Sequence, residues 1–499
     1  MAVNGIIPWG MRLFTIWDWV VVAAYLGGII VFGIWIGRGQ KTTRDYFLGS
    51  RNVPWWGVGL SIIATETSAL TFIGVPAMAY GGDLSFIQII LGYVVARVIL
   101  AAVLVPHYFR GEVYSPYQLI TRVFGPGAGR MTGGLFLLSG TLAAGVRVYV
   151  TSIPLQLMLG ISLFWAVILF VLLSWIYTCV GGIKAVIWTD VIQLVLFLGG
   201  GMFTMVYLGT LAPGGWTSAM AMAGEAGKLH WLNMEFGWGM PFNVWMGLLG
   251  GTVQVMSSHG ADQLIVQRVL SCKGVPDGRR ALMLSAVLIL PIFLMFLMVG
   301  ILLWVFYQQH PLQMPLPANQ AGLKQNDYLF PIFILTEMPP VIRGLLVVAV
   351  LSAAMSSISS ALSALASVST MDFAGWIRRG KSGGAPGILG GRLATLFWAV
   401  MLVLVAYASR EAELVLNLAF SLSGITSGAL LSGVLLALFA PGVSPASVVI
   451  GLVGSVGTLV AIQWGAGQGV AWPWYTLIGT GAGLGAAGVI AACSGRHGR

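Results

Sequence analysis

Thirteen stretches of about 20 mostly apolar residues follow one another along this 499-residue chain, separated by charged or Gly- and Pro-rich segments. A run of that length can cross a bilayer as a helix, in which every backbone polar group pairs within the span. Only 8% of the residues are charged, whereas soluble domains carry about 25%. The sequence therefore predicts an all-α polytopic membrane protein with about 13 transmembrane helices. The expected spans lie near 16–37, 53–81, 84–108, 131–159, 161–180, 186–211, 241–270, 281–307, 341–372, 389–408, 413–440, 444–464 and 471–493.

The basic residues predict how these helices are oriented. When the loops are assigned alternately to the two sides, one side carries 18 Lys and Arg residues, Arg268 among them, and the other carries 5. Cytoplasmic loops hold the excess of positive charge, so we expect the N-terminus outside and the C-terminus in the cytoplasm. This rule explains the net charge of +10 without nucleic acid as a partner. We predict a monomer embedded in the lipid bilayer of the plasma membrane, of the bacterial inner-membrane type.

Neither a cleaved signal peptide nor a disulfide or metal framework is expected. The first fifteen residues lack a basic region, an apolar run and a cleavage site, so the span at 16–37 should be retained. The three cysteines have no metal-binding spacing, and the five histidines are scattered singly. A membrane enzyme would need a nucleophile with its base or a metal site, and a channel would need filter motifs. The sequence argues against both of these functions.

Five ionisable residues lie inside the predicted spans: Glu66, Arg97, Arg147, Asp190 and Asp262. Each charge at membrane depth costs at least about 2.5–3.5 kcal/mol on insertion scales, so such residues are rare and usually pair or line a pathway. Because the five residues lie on five different spans, the set favours a transport pathway. A purely structural ion pair is the alternative for any one of them.

Two spans are interrupted near their middle by small and polar residues. The stretch ATETSALT at 64–71 continues into GVP and YGG, and the stretch GTVQVMSSHGADQLIVQR at 251–268 lies five spans later. Discontinuous helices of this kind present freed carbonyls to a cation and helix ends to a polar solute. The spacing predicts an inverted five-helix repeat with broken first and sixth core helices and the binding site between the breaks. Two ordinary helices that contain Ser and Thr are the alternative.

A third polar feature is the stretch LSAAMSSISSALSALASVST at 351–370, which contains eight serines. The residues that share one face of this helix are Ala353, Ser356, Ser357 and Ser360, with Ser359 beside them. A dehydrated hard cation needs several oxygen ligands, and hydroxyls together with freed carbonyls provide them. The stretch is therefore a candidate cation site, and a small-residue packing face is the alternative.

Four stretches, in this order, resemble the sodium/solute symporter family: ATETSALTFIGVPA, GGIKAVIWTDVIQ at 181–193, ADQLIVQRVLS at 261–271 and AAMSSISSALS at 353–363. The resemblance covers the chain from about residue 16. It implies a leucine-transporter-like core of two inverted repeats, preceded by one helix and followed by two, in agreement with the thirteen spans. The implied units are an extra N-terminal helix at 16–37, five-helix repeats at 53–211 and 241–440, and two C-terminal helices at 444–493.

The resemblance also implies sodium-coupled transport with named ligands for the ion. The expected ligands of the first sodium ion are the carbonyls of Ala64, Thr67 and Ala353 and the hydroxyls of Ser356 and Ser357. A second sodium ion, which only some family members hold, would bind Asp190, Ser359 and Ser360. A carboxylate at mid-membrane suits a cation, and a hydrogen bond to a neighbouring backbone or hydroxyl group is the alternative for Asp190.

The substrate cavity is expected to be lined by Glu66, Ser68, Thr71, Phe86, Gln88, Arg147, Asp262 and Gln263. Arg147 lies in the span where sialic-acid carriers of the family place a carboxylate-binding Arg, and its planar fork suits that role. Sugar carriers differ, because Ile265 stands where a galactose carrier has its gating Tyr. We therefore predict import of an organic anion such as sialic acid or a monocarboxylate, with a sugar or polyol as the alternative. Pairing of Arg147 with Glu66 or Asp262 is the structural alternative.

Two outer loops, at 212–240 and 308–340, are long for a compact membrane protein. Loops of this length often act as lids or form short helices at the membrane surface. The first contains several Trp residues and the second is rich in Pro and Gln. Plain connectors between helices are the alternative.

Overall fold

The computed structural model describes residues 14–240, 242–316, 325–373, 387–409, 413–465 and 469–495, and it is almost entirely helical. The chain ends and part of the 308–340 loop lie outside the described residues. The α-helices are α1 Ile16–Ile36, α2 Thr43–Leu48, α3 Trp55–Glu66, α4 Ala69–Gly81, α5 Ile87–Ile99, α6 Val105–Tyr108, α7 Pro116–Phe124, α8 Pro126–Leu159, α9 Leu163–Leu211, α10 Gly215–Glu225, α11 Thr252–Gly260, α12 Gln263–Leu270, α13 Val275–Gln309, α14 Leu329–Glu337, α15 Ile342–Val368, α16 Ile388–Ala408, α17 Glu413–Phe439, α18 Pro445–Trp464 and α19 Tyr475–Gly495. The π-helical turns are Leu100–Leu104, Met246–Gly251 and Ser369–Phe373.

Apolar helices long enough to span a membrane dominate this architecture. Within the described ranges, nine helices have the length and hydropathy of a span, or ten when the bent pair α3 and α4 is taken as one. α9 is 49 residues long, but the chain turns at Gly182, which has a φ of 53° and lies between the spans expected at 161–180 and 186–211. The prediction of an all-α polytopic membrane protein is confirmed, and the count of about 13 spans stays a prediction.

The first predicted break lies between α3 and α4, which together we call the first broken helix. α3 ends at Glu66, α4 begins at Ala69, and the two segments are bent by 56°. The Ser68 amide donates to the Glu66 carbonyl at 3.1 Å instead of to the Ala64 carbonyl, its partner in a regular helix. The break therefore releases the Ala64 oxygen, which accepts a hydrogen bond from Ser356 at 3.4 Å.

The second predicted break separates α11 from α12, which together we call the second broken helix. Ala261 and Asp262 leave the helical conformation, with ψ angles of −12° and 132° at φ angles of −124° and −92°. The Asp262 Oδ1 atom accepts from the Leu264 amide at 2.8 Å and so caps the start of α12. Both breaks occur where small and polar residues interrupt the apolar pattern.

The serine-rich helix α15 lies at the centre of the molecule. Of its most apolar window, 94% is buried inside the protein, more than for any other candidate span among the described residues. It packs against α1, α8, α9 and α16. Because α15 has little contact with lipid, its hydroxyl groups face other helices and internal cavities.

The extra N-terminal helix α1 contributes a cap to α15. The Asp18 Oδ1 atom accepts from the backbone amides of Val341 and Gly344 at 2.9 and 3.0 Å. A carboxylate at a helix N-terminus satisfies unpaired amides and interacts favourably with the helix dipole. α1 is thus fastened to the helix that carries the candidate cation site.

Glycines allow α5 to approach the start of the second broken helix closely. A Cβ atom on Gly247 would lie 2.1 Å from the Gln88 carbonyl oxygen, and one on Gly92 would lie 1.9 Å from the Gly247 carbonyl oxygen. The Thr252 hydroxyl donates to the Gly92 carbonyl at 3.1 Å across the same contact. Small residues permit this backbone contact, which is typical of helix packing in membranes.

Candidate ion and substrate site

Asp190 of α9 forms a buried ion pair with Arg268 of α12. The Asp190 Oδ2 atom accepts from Arg268 Nη2 at 2.9 Å and from the Ser61 hydroxyl at 2.6 Å, and Oδ1 accepts from the Ser356 hydroxyl at 2.7 Å. Arg268 also donates to Ser61 and to Ser360, and both charged residues are fully buried. The assignment of Arg268 to a cytoplasmic loop is wrong, because α12 carries its side chain into the core.

A cavity of about 160 Å³ lies where the first broken helix faces α9 and α15. Its lining consists of Ala64, Thr67, Gln193, Leu194, Phe197, Ala353 and Ser356. Four of the five residues predicted for the first sodium ion line this cavity, and Ser357 lies on the next position of α15. The structure thus brings the carbonyls freed at the break together with the hydroxyl-bearing face of α15.

The serine hydroxyls of α15 are oriented by bonds within the helix. Ser357 donates to the Ala353 carbonyl at 3.2 Å, whereas Ser359 and Ser360 donate to the Ser356 carbonyl at 3.0 and 2.6 Å. A hydroxyl that donates its proton to the backbone keeps its oxygen lone pairs for another partner. These oxygens are therefore available as acceptors or as ligands for a cation.

Gln193 is a residue of this cavity that the sequence interpretation missed. Its side chain is 1% exposed, and neither its Oε1 nor its Nε2 atom has a hydrogen bond of good geometry, although the Tyr25 and Tyr177 phenols lie nearby. A buried amide without partners is costly, so it is expected to have a function. The signal in the sequence was its spacing, because Gln193 lies three residues after Asp190 on the same helix.

Glu66 pairs with Arg97 and His259 instead of with Arg147. Arg97 Nη2 donates to Glu66 Oε2, which lies 3.6 Å from His259 Nε2. The same guanidinium donates to the Ser285 hydroxyl at 3.0 Å and to the Tyr93 carbonyl at 2.9 Å. One arginine of α5 therefore joins the end of α3 to the second broken helix and to α13.

Arg147 of α8 lines a second cavity, of about 220 Å³, on the other side of α15. The residues around it are Ala144, Arg147, Val148, Thr151, Ala354, Ser357 and Ile358. Within the described residues, no ion pair or hydrogen bond involves the Arg147 guanidinium. Glu66 binds Arg97 and Asp262 caps α12, so neither carboxylate forms a short ion pair with Arg147 among the described residues, although the charges of Asp262 and Arg147 still interact over a longer distance.

The remaining predicted substrate residues lie in three different places: at the start of α5, at the start of α12 and at the first break. Gln88 donates to the Phe242 carbonyl at 2.8 Å, and Phe86 lies against Phe242 and Phe293 at ring distances of 5.1 and 5.9 Å. Gln263 donates to the Tyr114 carbonyl at 2.7 Å. The two amides therefore connect backbone segments near opposite ends of the bundle.

Ser68 and Thr71 lie at the first break itself. The Ser68 carbonyl accepts from the Thr71 amide at 2.9 Å and from the Phe72 amide at 3.1 Å, so the two residues form the first turn of α4. Ser68 is buried and Thr71 is half-buried.

The sequence profile of the sodium:solute symporter family matches residues 46–453 of this chain. The chain belongs to this family. The sodium/sialic acid symporter SiaT of Proteus mirabilis is 30% identical over 465 residues, which cover 90% of each chain. The sodium/sialic acid symporter NanT of Aliivibrio fischeri is 28% identical over 452 residues, which cover 89% of this chain and 87% of the relative.

A solved structure of this family has the same fold. It is a Na⁺-coupled sialic acid symporter in a substrate-bound, outward-open state, and it superimposes with a TM-score of 0.86 at 27% identity. The match covers 96% of this chain and 98% of the solved one. The predictions of the family and of sodium-coupled symport in a membrane are confirmed. This sodium:solute symporter therefore moves a small solute together with sodium.

Proposed function

We propose that this symporter imports a small organic anion with sodium by alternating access, and that Arg147 binds the anionic group. The observation that carries the proposal is the Arg147 guanidinium, which lines a 220 Å³ cavity and has no ion-pair partner among the described residues. Sialic acid and monocarboxylates are the candidate substrates. We further propose a monomer in a bacterial inner membrane, with the N-terminus outside and the C-terminus in the cytoplasm.

The charge balance of the site favours an anion over a sugar. Glu66 is neutralised by Arg97 and Asp190 by Arg268, and among the described residues Arg147 has only the longer-range interaction with Asp262, without an ion pair. A carboxylate would gain a charge-assisted and bidentate bond worth roughly 1.5–3 kcal/mol, whereas a neutral sugar would gain much less. The two sialic acid symporters found as relatives support the same class of substrate.

The co-transported sodium ion is proposed to bind in the 160 Å³ cavity. Its ligands would be the carbonyls of Ala64, Thr67 and Ala353 and the hydroxyl of Ser356, whereas Ser357, the fifth expected ligand, lines the cavity of Arg147. The Gln193 amide lies in the same cavity, and its Oε1 atom is a further oxygen that has no hydrogen bond of good geometry among the described residues. An ion there would satisfy this oxygen and the carbonyl freed at Ala64.

A second sodium ion at Asp190, Ser359 and Ser360 requires that Arg268 move. In the present structure the Arg268 guanidinium is bonded to both Asp190 and Ser360, where the ion would bind. Two cations cannot share one buried carboxylate without strong repulsion. We therefore propose one sodium ion for this arrangement, and a second only when Arg268 has left Asp190.

Coupling between ion and substrate is proposed to run through one turn of α15. Ala353 and Ser356 line the sodium cavity, while Ala354 and Ser357 line the cavity of Arg147. Because the two cavities share this turn, an ion that orders Ser356 also fixes the wall of the substrate cavity. Such a shared element allows the bound sodium ion to raise the affinity for the substrate, and the bound substrate to raise the affinity for sodium by the same factor.

Arg147→Lys tests the substrate assignment. The Lys variant keeps the charge but loses the planar fork, so the apparent affinity for an anionic substrate should weaken about tenfold or more, as a loss of 1.4 kcal/mol implies. Thermal shifts with sialic acid, lactate, pantothenate, glucose, galactose, inositol and proline in sodium buffer identify the substrate class first. Transport assays of Arg147→Lys and Arg147→Ala then follow. The control is Arg279→Lys, because the Arg279 side chain donates to the Ala101 carbonyl near the end of α5, away from both cavities.

Two results would contradict this assignment. Stabilisation by uncharged sugars or polyols alone would replace the anion with a sugar substrate. Near-normal uptake by Arg147→Lys together with poor folding of Arg147→Ala would assign Arg147 a structural role.

Gln193→Leu tests the sodium cavity separately from the substrate. Leu has a similar volume but no oxygen, so the sodium concentration for half-maximal uptake should rise about fivefold, equivalent to roughly 1 kcal/mol for one lost interaction. The substrate affinity at saturating sodium should change little. The Ser356→Ala and Ser357→Ala double variant should lose sodium activation more severely, and unchanged sodium dependence in both variants would exclude this cavity.

A further inference from the structure

The chain segments 231–240 and 242–249, which together we call the rim segment, are apolar and exposed although much of their length is not helical. The rim segment contains a single charged residue, Glu235, and the backbone from 230 to 237 has no regular secondary structure. The exposed large apolar side chains of the segment are Trp231, Leu232, Met234, Phe236, Trp238, Met240, Trp245, Leu248 and Leu249. An apolar surface of this extent on a loop indicates a binding partner.

One hydrogen bond within the rim segment folds it back on itself, and a second fastens it to the chain just before α19. Trp245, which precedes the second broken helix, donates its indole N–H to the Met234 carbonyl at 3.0 Å. The Ala471 amide, just before α19, donates to the Trp238 carbonyl at 2.7 Å, and the Trp238 ring lies 4.9 Å from that of Trp474. The segment therefore lies along the rim of the bundle between these two helices.

The exposed apolar surface of the rim segment includes the start of the second broken helix and continues onto the chain just before α19. Leu248 and Leu249 are 39% and 51% exposed on the π-helical turn that begins the second broken helix, and Trp472 is 48% exposed before α19. The apolar face of the rim segment is therefore continuous with the apolar surface at these helix ends. A second copy of the chain or another protein would need to cover the helix tips as well.

Physical constraints on the backbone fix the depth of this surface. Unpaired backbone groups cannot lie exposed in the hydrocarbon, which excludes the bilayer core for a non-helical strand. Trp side chains prefer the boundary between headgroups and acyl chains, where the ring is apolar and the N–H stays wet. The rim segment satisfies both constraints when it lies at the boundary between the lipid headgroups and the acyl chains.

We propose that the rim segment is a lipid-binding surface that inserts Trp231, Phe236 and Trp238 into the headgroup boundary of the bilayer. Under the orientation proposed above, this boundary belongs to the outer leaflet. The inference goes beyond the transport function and does not depend on which solute is carried.

The rim segment is attached to α5, and Lys228, three residues before the segment, is attached to the first broken helix, which gives the lipid contact a consequence for the site. Lys228 donates its ammonium to the carbonyls of Tyr80 and Gly82 at 2.7 and 2.8 Å, at the end of α4. The Asn233 amide donates to Gln88 Oε1 at 3.0 Å, at the start of α5. Lipid bound to the rim segment therefore fixes the end of α4 and the start of α5 at one depth in the membrane.

Photocrosslinking in vesicles tests the lipid contact in the full-length protein. The photoreactive amino acid benzoylphenylalanine replaces Met234 or Phe236 in separate variants, and it replaces Glu235 in the matched control. Met234 and Phe236 are 64% and 56% exposed, and Glu235 is the exposed charged residue between them. After illumination in phosphatidylethanolamine and phosphatidylglycerol vesicles, mass spectrometry identifies the adducts.

Lipid adducts at positions 234 and 236, several-fold more abundant than at 235, are the expected result. Crosslinked dimers at those positions would overturn the proposal in favour of a second copy of the chain. Adducts within the chain alone, or equal lipid labelling at all three positions, would also overturn it. Because each variant changes an exposed side chain, retained solute uptake shows that the protein is folded.

Discussion

Arg268→Met should destabilise the symporter by about 3–5 kcal/mol, because it leaves the Asp190 carboxylate buried without its cation. The two remaining partners of Asp190 are the hydroxyls of Ser61 and Ser356, which do not carry a compensating charge. The measurement is the thermal unfolding of the purified protein in detergent and in nanodiscs. The double variant Asp190→Asn and Arg268→Met removes both charges and should recover most of the stability.

A surface ion pair provides the control for this prediction. Arg280 lies 3.7 Å from Asp277 with a side chain that is 64% exposed, so Arg280→Met should have little effect on unfolding. If Arg268→Met is as stable as Arg280→Met, the buried pair does not hold the bundle together. The double variant should also respond weakly to sodium, since the Asp190 carboxylate orients the Ser356 hydroxyl in the sodium cavity.

The helices and both breaks could be predicted because their signals are local. Apolar runs set the spans, and small or polar residues mark the points where the chain leaves the helix, at Thr67 and Ser68 in the first case and at Ala261 and Asp262 in the second. The face of α15 that meets the sodium cavity also follows from helical spacing within one short stretch. These features need no knowledge of which helices are neighbours.

The partners of the charged residues could not be predicted, because they depend on how distant helices cross. Glu66 and Arg97 are 31 residues apart, and Asp190 and Arg268 are 78 residues apart. Hydropathy placed Arg268 at a span end and so assigned it to the cytoplasmic side, whereas packing of α12 buries it completely. The lack of a short ion pair at Arg147 among the described residues is likewise a result of pairings made elsewhere in the bundle.

Arg97→Met and Glu66→Gln should have unequal effects, although both residues belong to one ion pair. Arg97→Met leaves the Glu66 carboxylate with His259 Nε2, at 3.6 Å, as its remaining ion-pair neighbour among the described residues, so a loss of about 3–5 kcal/mol is expected. In Glu66→Gln, Arg97 keeps the Tyr93 carbonyl and the Ser285 hydroxyl and can still donate to the new amide oxygen. Because Arg97 then lies buried without a carboxylate, this variant should also lose stability, but less than Arg97→Met, since these polar partners remain.

Transport should also be slow in Glu66→Gln, because the charged bond from α5 to the end of α3 is weakened at the point where both broken helices meet. Arg97 is joined to α3 through Glu66 and to α11 through His259, so the cluster makes the two breaks move together. The expected result is a reduced maximal uptake rate at unchanged substrate affinity, measured in proteoliposomes beside the thermal unfolding of each variant. His259→Gln, which leaves the Glu66 and Arg97 pair intact, should lie between wild type and Glu66→Gln in rate. Equal destabilisation by Arg97→Met and Glu66→Gln would contradict the unequal roles, and a wild-type rate in Glu66→Gln would show that the breaks move independently of this cluster.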